Sequence, residues 1–592
     1  MNPDAALTGT VPALLAARVR ATPDAPAFCT ESAGGAWQAL SWREFAATVG
    51  ALRDALAAQG LRKGDRLALI APVSLQWEQL HHAALSMGVV VVGLDAHDLP
   101  ERLAAMAELA EVAAFAVAEG KCLAAMAPQR LNEARFVLSL GPAGTGWPPQ
   151  ARMLDWSGLL ASDRAGSPPP EDPQPGDAAT VIFTSGTTGA PKGIEYSHGQ
   201  LCLAIEAICE AYAFIGPHSR LLCWLPLSNL FQRIVNLAGI RNGPCTYLLA
   251  DPRRVMDVVA GVSPDIFVGV PRFYEKLYEG IQARIKAMPA WQRGLVAWAW
   301  GVGRRVSRRH LDRQPLTRPL RLANALADGM VLARIRAVMG SRLRCMVTGS
   351  APMSTLLLQE FGALGWPVLE AYGLSENVLP MAMNRIDAWQ WGTVGRPLEG
   401  NEILIDADGT IRVRGPGVFG NYLGASVPPP KDGEGYYATG DLGHLDADGF
   451  LHLVGRSGEM IKTSTGRRVM PGEAERRLQQ VPGLEQVILV GAGRKYVVAL
   501  GCTDGIQRSP IVRENMAQAL REQVLHISPG ERPQGIAIVE HPFSIEAGEL
   551  TPNLKLRREV LQARHAGLIE RLYGLIDSRA AADETEFVVI WS

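Results

Sequence analysis

The sequence predicts an α/β fold, in which a large first domain is followed by a smaller one. Two short apolar runs, 65–71 and 89–94, flank a helical pattern over 75–86, which is the order of a parallel βαβ unit. The chain has 592 residues, more than one hydrophobic core usually organises. We therefore expect at least two domains, the first built on parallel strands.

The remaining elements are predicted from their hydrophobic periodicity and their turn residues. A helical pattern fills much of 11–60, and a proline-rich connector over 167–176 precedes the next apolar strand at 181–183. Alternating stretches and glycine turns over 401–450 predict a small β-barrel or hairpins. The last part predicts a small α+β domain, with strands at 487–490 and 496–501 and helices at 473–480, 512–526 and 560–573.

Composition excludes several classes of protein. The 58 Lys and Arg residues balance 59 Asp and Glu residues, so no global field favours nucleic acid. The eight cysteines are scattered without zinc-ligand spacing, which predicts reduced thiols in a cytoplasmic protein. Asp4, Arg18 and Arg20 do not suit a secretory signal, and no apolar run is long enough to cross a bilayer.

The segment 181–198, VIFTSGTTGAPKGIEYSH, concentrates hydroxyls, glycines and one lysine after a buried strand. Glycines let a backbone approach a polyphosphate closely, and a lysine adds a compact positive charge. A flexible surface loop is the simpler interpretation of such a composition. Lys192 is followed by Gly193, so the spacing is not that of a Walker A loop. The candidate phosphate-binding residues are Thr184, Ser185, Gly186, Thr187, Thr188, Gly189 and Lys192.

Four more segments follow in a set order: GSAP at 349–352, AYGLSE at 371–376, TGD at 439–441 and GRSGEMIKTS at 455–464. The chain then carries LTPNLK at 550–555. Together with the first segment they resemble the adenylate-forming superfamily of acyl-CoA synthetases, luciferases and nonribosomal adenylation domains. The ending and the IKTS junction are most similar to those of the long-chain fatty acid CoA ligases.

The resemblance implies roles for individual residues. Lys555, Thr184 and Glu376 would be catalytic, and Thr184 and Glu376 would also hold Mg²⁺. Asp441 would bind the ribose hydroxyls, and Arg456 and Lys462 lie in the junction motif that contacts the nucleotide. The adenine site would be lined by Gly349, Ser350, Ala351, Pro352, Ala371, Tyr372 and Gly373.

The resemblance also implies the reaction. A carboxylic acid, expected to be a medium- or long-chain fatty acid, reacts with ATP to give acyl-AMP and pyrophosphate, and coenzyme A, as substrate, then takes the acyl group with release of AMP. The large AMP-binding domain would span 1–457, with an insertion at about 281–341, and a small mobile domain would span 458–592. The boundary would fall at Ser457 to Gly458, which serves as the pivot.

Alternatives stay open at this point. In the first alternative, the acyl group passes to an acyl carrier protein, an amine or another nucleophile instead of coenzyme A. In the second, the chain is a nucleotide-binding regulatory protein with an impaired site. Asn229 stands where the family usually has His, and Gly458 where it often has Asp or Lys, which keeps the second option in view. Lys555 has its own alternative, a solvated charge in a basic run with Arg557 and Arg558.

The insertion mixes aromatic and basic residues at helical spacing, with Trp291, Leu295, Trp298 and Trp300 among Arg293, Arg304, Arg305, Arg308 and Arg309. A basic amphipathic helix of this kind suits an anionic membrane surface, at the inner face of the membrane for a cytoplasmic protein. A helical hairpin packed on the domain is the competing interpretation, because aromatics at helical spacing usually lie in a core.

Overall fold

Parallel strands dominate the first of the two units into which the chain divides. The structure is a computed structural model. It describes residues 3–32, 34–141, 147–149, 151–161, 169–185, 191–312, 314–351, 353–425, 431–505, 509–544, 547–550, 556–581 and 587–592. The first unit comprises Met1–Leu404, Arg412–Tyr437 and Leu445–His452, and the second comprises Ile405–Ile411, Ala438–His444 and Leu453–Ser592. The predicted boundary at Ser457 to Gly458 stays a prediction.

The largest sheet of the first unit has seven strands, in the order Met153–Asp155, Val137–Ser139, Ala114–Val117, Arg66–Ile70, Val90–Leu94, Ala178–Ser185 and Pro191–Ser197. All neighbours are parallel except the last pair. The predicted βαβ unit is present, since Arg66 pairs with Val90 across parallel strands joined through the helix Leu75–Leu85. Buried side chains on one face of the sheet, such as Phe115 and Val92, form a core.

Two more sheets complete this unit. One orders Ile266–Gly269, Cys345–Thr348 and Val368–Tyr372 in parallel, followed by the antiparallel Ala382–Met383 and Arg396–Pro397. The other orders Arg220–Cys223, Cys245–Leu248 and Pro26–Glu31 in parallel, followed by the antiparallel Trp37–Ser41. The division between the units falls within a further sheet, of Glu402–Ile405, Thr410–Arg414, Tyr437–Leu445 and Leu451–Arg456.

Helices cover these sheets. The α-helices of the first unit are Pro3–Leu7, Val11–Ala21, Trp42–Ala58, Leu75–Leu85, Pro100–Leu109, Pro128–Glu133, Trp156–Leu160, His198–Ala211, Leu230–Asn242, Val255–Val262, Pro271–Lys286, Ala290–Leu311, Arg318–Ala327, Ala333–Arg336 and Thr355–Ala363. Short 3₁₀ turns occur at Gly120–Leu123, Pro252–Arg254, Ala337–Met339 and Ser457–Glu459, and a π turn at Asp328–Leu332. No helix in the described ranges has the length and hydropathy needed to cross a bilayer.

The second unit is a small α+β body with helices on both faces of one sheet. Its strands are Leu484–Val490, Val498–Thr503, Gly535–Val539 and Val588–Trp591, and Ile461–Lys462 pairs with Arg468–Val469 in a short hairpin. The helices Pro471–Leu478 and Pro510–Leu525 pack on one face, and Arg558–Arg564 and Ala566–Ala581 on the other. The predicted α/β class with its small α+β domain is confirmed.

All eight cysteines are buried as free thiols. Burial raises the pKa of Cys202, Cys209 and Cys345 to about 12. Cys29 differs, because the Cys245 thiol, whose sulfur lies 3.3 Å from its own, lowers the pKa of Cys29 to about 7.

The insertion forms a helical hairpin, Ala290–Leu311 and Arg318–Ala327, one side of which packs on the domain. Val296, Ala299 and Trp300 of the first helix are buried, and this helix contacts the helix Thr355–Ala363. At Gly303 the two backbones approach so closely that an added Cβ would lie 1.9 Å from the carbonyl oxygen of Ala363. The packed-hairpin interpretation is therefore correct for this side of the helix.

We expect Gly303→Ala to destabilise the protein although alanine favours helices. The added methyl group would have to displace a backbone carbonyl, and overpacking of this kind costs about 1 to 3 kcal/mol. Gly294→Ala in the same helix is the matched control, because no atom lies within 4 Å of its added Cβ. That control should be neutral or stabilising, by up to about 1 kcal/mol. Thermal unfolding of the two variants is the measurement, and equal melting temperatures would contradict the close approach.

Candidate active site

The strands that flank the predicted phosphate loop pair with each other. Ala178–Ser185 and Pro191–Ser197 are antiparallel, with Thr184 opposite Lys192 and Ser185 opposite Pro191. Gly186, Thr187, Thr188 and Gly189, between them, lie outside the described residues. The sequence predicted the first strand but not the second, which leads into the helix His198–Ala211. Buried Ile194 and Tyr196, two positions apart, were the signal for it.

Tyr422 joins the loop strand to the predicted metal ligand Glu376. Its backbone forms a β-bridge with Ile194, and the Nζ atom of Lys192 lies 5.1 Å from the centroid of its ring. Its hydroxyl donates a hydrogen bond of 2.9 Å to Oε1 of Glu376. Lys192 and Glu376, far apart in the chain, are thus held at one phenol. Motif reasoning missed Tyr422, which lies in a glycine-rich stretch without local periodicity.

Two further phenols lie beside this contact. Tyr196 is buried and donates a hydrogen bond of 2.6 Å to the carbonyl oxygen of Ser375. The hydroxyls of Tyr422 and Tyr437 lie 3.5 Å apart. Burial, with the negative charge of Glu376 adding to it, raises the pKa of Tyr196 well above its ordinary value, and burial raises the pKa of Tyr422. These phenols stay protonated at neutral pH and serve as hydrogen-bond donors.

The predicted adenine-site segments follow two adjacent parallel strands. Thr348 pairs with Glu370, so Gly349 and Ser350 emerge beside Ala371. An added Cβ at Gly349 would lie 3.2 Å from the carbonyl oxygen of Ala371, and Ser350 has a left-handed φ of 71°. Ala351 and Gly373 are exposed and Tyr372 is buried. Pro352 lies outside the described residues. The carboxyl ends of parallel strands are the usual place for ligands in such sheets.

The predicted ribose ligand lies in the second unit. The carboxylate of Asp441 is buried, and Arg456 donates a hydrogen bond of 2.9 Å from Nε to its Oδ1 atom. Lys462 is exposed in the short hairpin, opposite Arg468. An added Cβ at Gly458 would meet no atom within 4 Å. Asp441 and Arg456, two of the predicted nucleotide-binding residues, are thus brought together as a charged pair.

Lys555 lies outside the described residues, but the chain that follows it is firmly held. Leu556 forms a β-bridge with Leu550. Arg558 donates two hydrogen bonds of 2.6 Å each to the two oxygens of Glu475. Arg558, the last residue of the basic run, is therefore held in a bidentate ion pair, whereas both interpretations of Lys555 stay predictions.

Asn229 and Arg233 have structural partners. The side chain of Asn229 accepts a hydrogen bond of 2.9 Å from the backbone N–H of Phe231 and caps the helix Leu230–Asn242. Arg233 is buried, not a solvated charge, and its Nη1 atom donates a hydrogen bond of 2.6 Å to Oγ1 of Thr180. Burial lowers the pKa of Arg233 to about 10. The helical cap gives Asn229 a use that requires no imidazole.

A buried polar cluster, which the sequence analysis did not identify, lies around Arg233. Glu78 accepts a hydrogen bond of 2.6 Å from Asn236, and one of its oxygens lies 3.9 Å from a ring nitrogen of His81 and of His82. Burial raises the pKa of Glu78 and lowers the pKa of His82 to about 3. The spacing of three and four residues from Glu78 along one helix was the available signal.

A family comparison identifies the large unit. The model of the family described as "AMP-binding enzyme" matches residues 15–423. The chain belongs to this family. The predicted superfamily and enzyme class are confirmed by this match and by the relatives described next.

Among curated proteins, a long-chain fatty acid–CoA ligase of Mycobacterium bovis, FadD15, is 28% identical over 91% of this chain and 93% of its own length. A putative fatty acid–CoA ligase of Mycobacterium tuberculosis, fadD11, is 30% identical over 68% of this chain and 74% of its own length. Human long-chain fatty acid–CoA ligase 1 is 27% identical over 70% of this chain and 63% of its own length.

Solved structures share the fold at lower identity. The anthranilate CoA ligase AuaEII, in complex with anthranoyl-AMP, has a TM-score of 0.70 at 18% identity and covers 94% of this chain and 97% of its own. The O-succinylbenzoate CoA synthetase of Bacillus subtilis, in complex with AMP, has a TM-score of 0.68 at 20% identity and covers 92% and 97%. These likenesses support the fold.

We expect Tyr422→Phe to impair the site without unfolding the protein. Loss of a hydrogen bond to a charged group costs about 1.5 kcal/mol or more, so acid-dependent pyrophosphate release should fall by about tenfold. The Mg²⁺ concentration that gives half-maximal activity should rise as well, because the predicted metal ligand Glu376 loses the hydrogen bond that orients its carboxylate. Tyr436→Phe is the control, since its hydroxyl donates to Glu402 and not to Glu376. An unchanged Mg²⁺ dependence in Tyr422→Phe would show that the contact has only a structural role.

Proposed function

We propose that this protein activates a medium- or long-chain fatty acid with ATP and transfers the acyl group to coenzyme A, with release of AMP and pyrophosphate. The observation that carries the proposal is the meeting of Lys192 and Glu376 at Tyr422, beside the strand end that bears Thr184. The names of the relatives, which are fatty acid–CoA ligases, support the acyl substrate and the acceptor.

In the first step an oxygen of the fatty acid carboxylate bonds to the α-phosphorus of ATP, and the bond to the pyrophosphate oxygen breaks. No general base takes part, because a carboxylate is already ionised at neutral pH. Lys192 counters charge on the phosphates, and Lys555 counters charge on the α-phosphate and the carboxylate. Positioning and charge neutralisation of this kind supply most of the catalysis in such transfers.

The hydroxyl of Thr184 and the carboxylate of Glu376 are oxygen donors of the kind that suits Mg²⁺. We assign Thr184 and Glu376 as its protein ligands, since Mg²⁺ prefers hard oxygen donors and usually retains several waters. Only one oxygen of Glu376 receives the Tyr422 hydrogen bond, so the carboxylate keeps acceptor capacity for a cation. When bound, the ion neutralises phosphate charge and orients the leaving pyrophosphate.

In the second step the sulfur of coenzyme A bonds to the acyl carbon, the bond to the AMP oxygen breaks, and the thiol proton passes to solvent. We assign Asp441 to the ribose hydroxyls, with Arg456 holding its carboxylate, and the residues 349–352 and 371–373 to the adenine. Ser457 to Gly458 serves as the pivot that withdraws Lys555 between the two steps. The predicted domain limits, 1–457 and 458–592, follow from that assignment.

The proposal includes an acyl acceptor and a membrane contact. Coenzyme A is the assigned acceptor, and an acyl carrier protein is the alternative that product analysis distinguishes. The insertion is assigned a peripheral contact with the membrane, where a water-insoluble fatty acid accumulates. Exposed tryptophans on the outer side of its first helix, Trp291 and Trp298, support this contact.

A panel of carboxylic acids tests the proposed function directly. Pyrophosphate release should depend on a fatty acid, and acyl-CoA should appear only when coenzyme A is added. Glu376→Ala should lower pyrophosphate release by a factor of about several hundred, the loss expected for one charge contact in a dehydrated site. Near wild-type release by Glu376→Ala at saturating Mg²⁺ would reject the metal role. Nucleotide binding with no acid-dependent release would instead favour a regulatory protein.

Lys555 and the pivot should affect different half-reactions. Lys555→Ala should lose adenylation by a factor of about several hundred, yet convert supplied acyl-AMP to acyl-CoA at nearly the parent rate. Gly458→Pro should form and accumulate acyl-AMP, because proline fixes φ and stiffens the pivot. Gly458→Ala, for which space is open, is the control and should keep both steps. Loss of the same half-reaction in Lys555→Ala and Gly458→Pro would reject the rotating-domain assignment.

A further inference from the structure

The outer side of the insertion hairpin carries apolar side chains in two stripes. Trp291 and Trp298, seven residues apart on the first helix, are exposed, Trp291 to 70%. Leu322, Leu326 and Met330, four residues apart along the second helix and the π turn that follows it, are also exposed, Leu322 to 66%. Exposed large apolar side chains concentrated on one element mark an interaction surface.

Arginines continue the first stripe into a groove between the two helices. Arg305 stands seven residues after Trp298 and lines the groove together with Arg308 and Arg309. The groove encloses about 530 Å³ and also contains the polar side chains of Asp312, Gln314 and Thr317 and the apolar side chain of Leu320. Three guanidiniums against one carboxylate leave a net positive charge in a concave site.

The groove arginines differ from Arg304, which lies beside them in the sequence. Arg304 donates hydrogen bonds of 3.1 and 2.8 Å to the two oxygens of Glu360, so its charge is already matched. Arg309 donates to the carbonyl oxygen of Pro315 at 2.8 Å. In the part of the chain that the structure describes, neither Arg305 nor Arg308 has a hydrogen bond or an ion pair. Their donors are available to a ligand.

We infer that this groove binds the phosphate headgroup of an anionic phospholipid, while the exposed tryptophans and leucines enter the adjoining bilayer surface. Guanidiniums match phosphate geometry through paired N–H donors, and aromatic side chains favour the interfacial layer of a membrane. The combination of a cationic groove with an apolar rim fits a phosphate attached to acyl chains better than a soluble phosphate. The inference deepens the proposed function and rests on it, because the headgroup site would hold the protein at the membrane from which it takes the fatty acid.

Vesicle sedimentation of the full chain tests the inference. Wild-type protein should bind vesicles of equal parts phosphatidylcholine and phosphatidylglycerol at low salt, and bind vesicles of phosphatidylcholine alone far more weakly. Arg305→Gln with Arg308→Gln should weaken binding to the anionic vesicles by roughly 25-fold, at about a factor of five for each basic residue near such a surface. High salt should weaken wild-type binding, because it screens the attraction.

Two control variants separate the groove from general surface charge. Arg20→Gln with Arg43→Gln removes the same number of charges from exposed positions outside the insertion, and should change binding by less than threefold at matched salt, on the order of one weak surface contact. Ala323→Phe fills the groove without a charge change, and should weaken binding to anionic vesicles. Equal binding of the two double variants, or full binding by Ala323→Phe, would overturn the inference.

Soluble phosphates and turnover distinguish the remaining outcomes. Glycerol phosphate should not compete with the vesicles at concentrations comparable to those of the lipid headgroups, and effective competition would reassign the groove to a soluble phosphate. Arg305→Gln with Arg308→Gln should keep wild-type turnover of a short, water-soluble fatty acid without vesicles. If the double variant keeps both wild-type turnover and wild-type vesicle binding, the headgroup site is rejected and the proposed function stands. If wild-type protein shows no acid-dependent pyrophosphate release, the proposed function is rejected.

Discussion

Strand pairing at the edge of the seven-stranded sheet fixes the position of the candidate site. Because Ala178–Ser185 pairs with Pro191–Ser197, Thr184 and Lys192 face one another at the ends of two strands whose other residues are anchored in the sheet. The Ser197 hydroxyl then caps the next helix by accepting a hydrogen bond from the backbone N–H of Gln200, and the Gln200 side chain accepts one from the backbone N–H of Ser197. A ladder of backbone hydrogen bonds thus holds a lysine whose own side chain is long and flexible.

The position of Glu376 also depends on the strand Pro191–Ser197, through two tyrosines. Tyr196, within the second strand, binds the backbone of Ser375, and Tyr422, bridged to Ile194, binds the Glu376 carboxylate. The hydrogen bond from Tyr422 restricts the rotation of the carboxylate, and the hydrogen bond from Tyr196 holds the backbone beside it. Such preorganisation reduces the entropy that would otherwise be lost when the site is assembled around a charged substrate.

Regular elements and motif positions were accessible from the sequence, whereas contacts between distant segments were not. The apolar runs at 65–71 and 89–94 carried their own signal, and the strands lie at Arg66–Ile70 and Val90–Leu94. Tyr422 carried none, since its importance arises from Lys192 and Glu376, which approach only in the fold. The same holds for Arg233, whose burial depends on Thr180 in a neighbouring strand. Local patterns specify elements, and tertiary packing specifies partners.

The burial of every cysteine has a consequence for a protein that is proposed to handle a free thiol as substrate. Thiol–disulfide exchange requires an accessible thiolate. Burial keeps residues such as Cys202 and Cys345 away from solvent and raises the pKa of their thiols, so they stay protonated. Even Cys29, with the lowered pKa, lies in the interior against Cys245. An oxidised thiol cofactor therefore finds no surface cysteine with which to form a mixed disulfide. The fold gives the protein chemical inertness toward the reactive group of its own substrate.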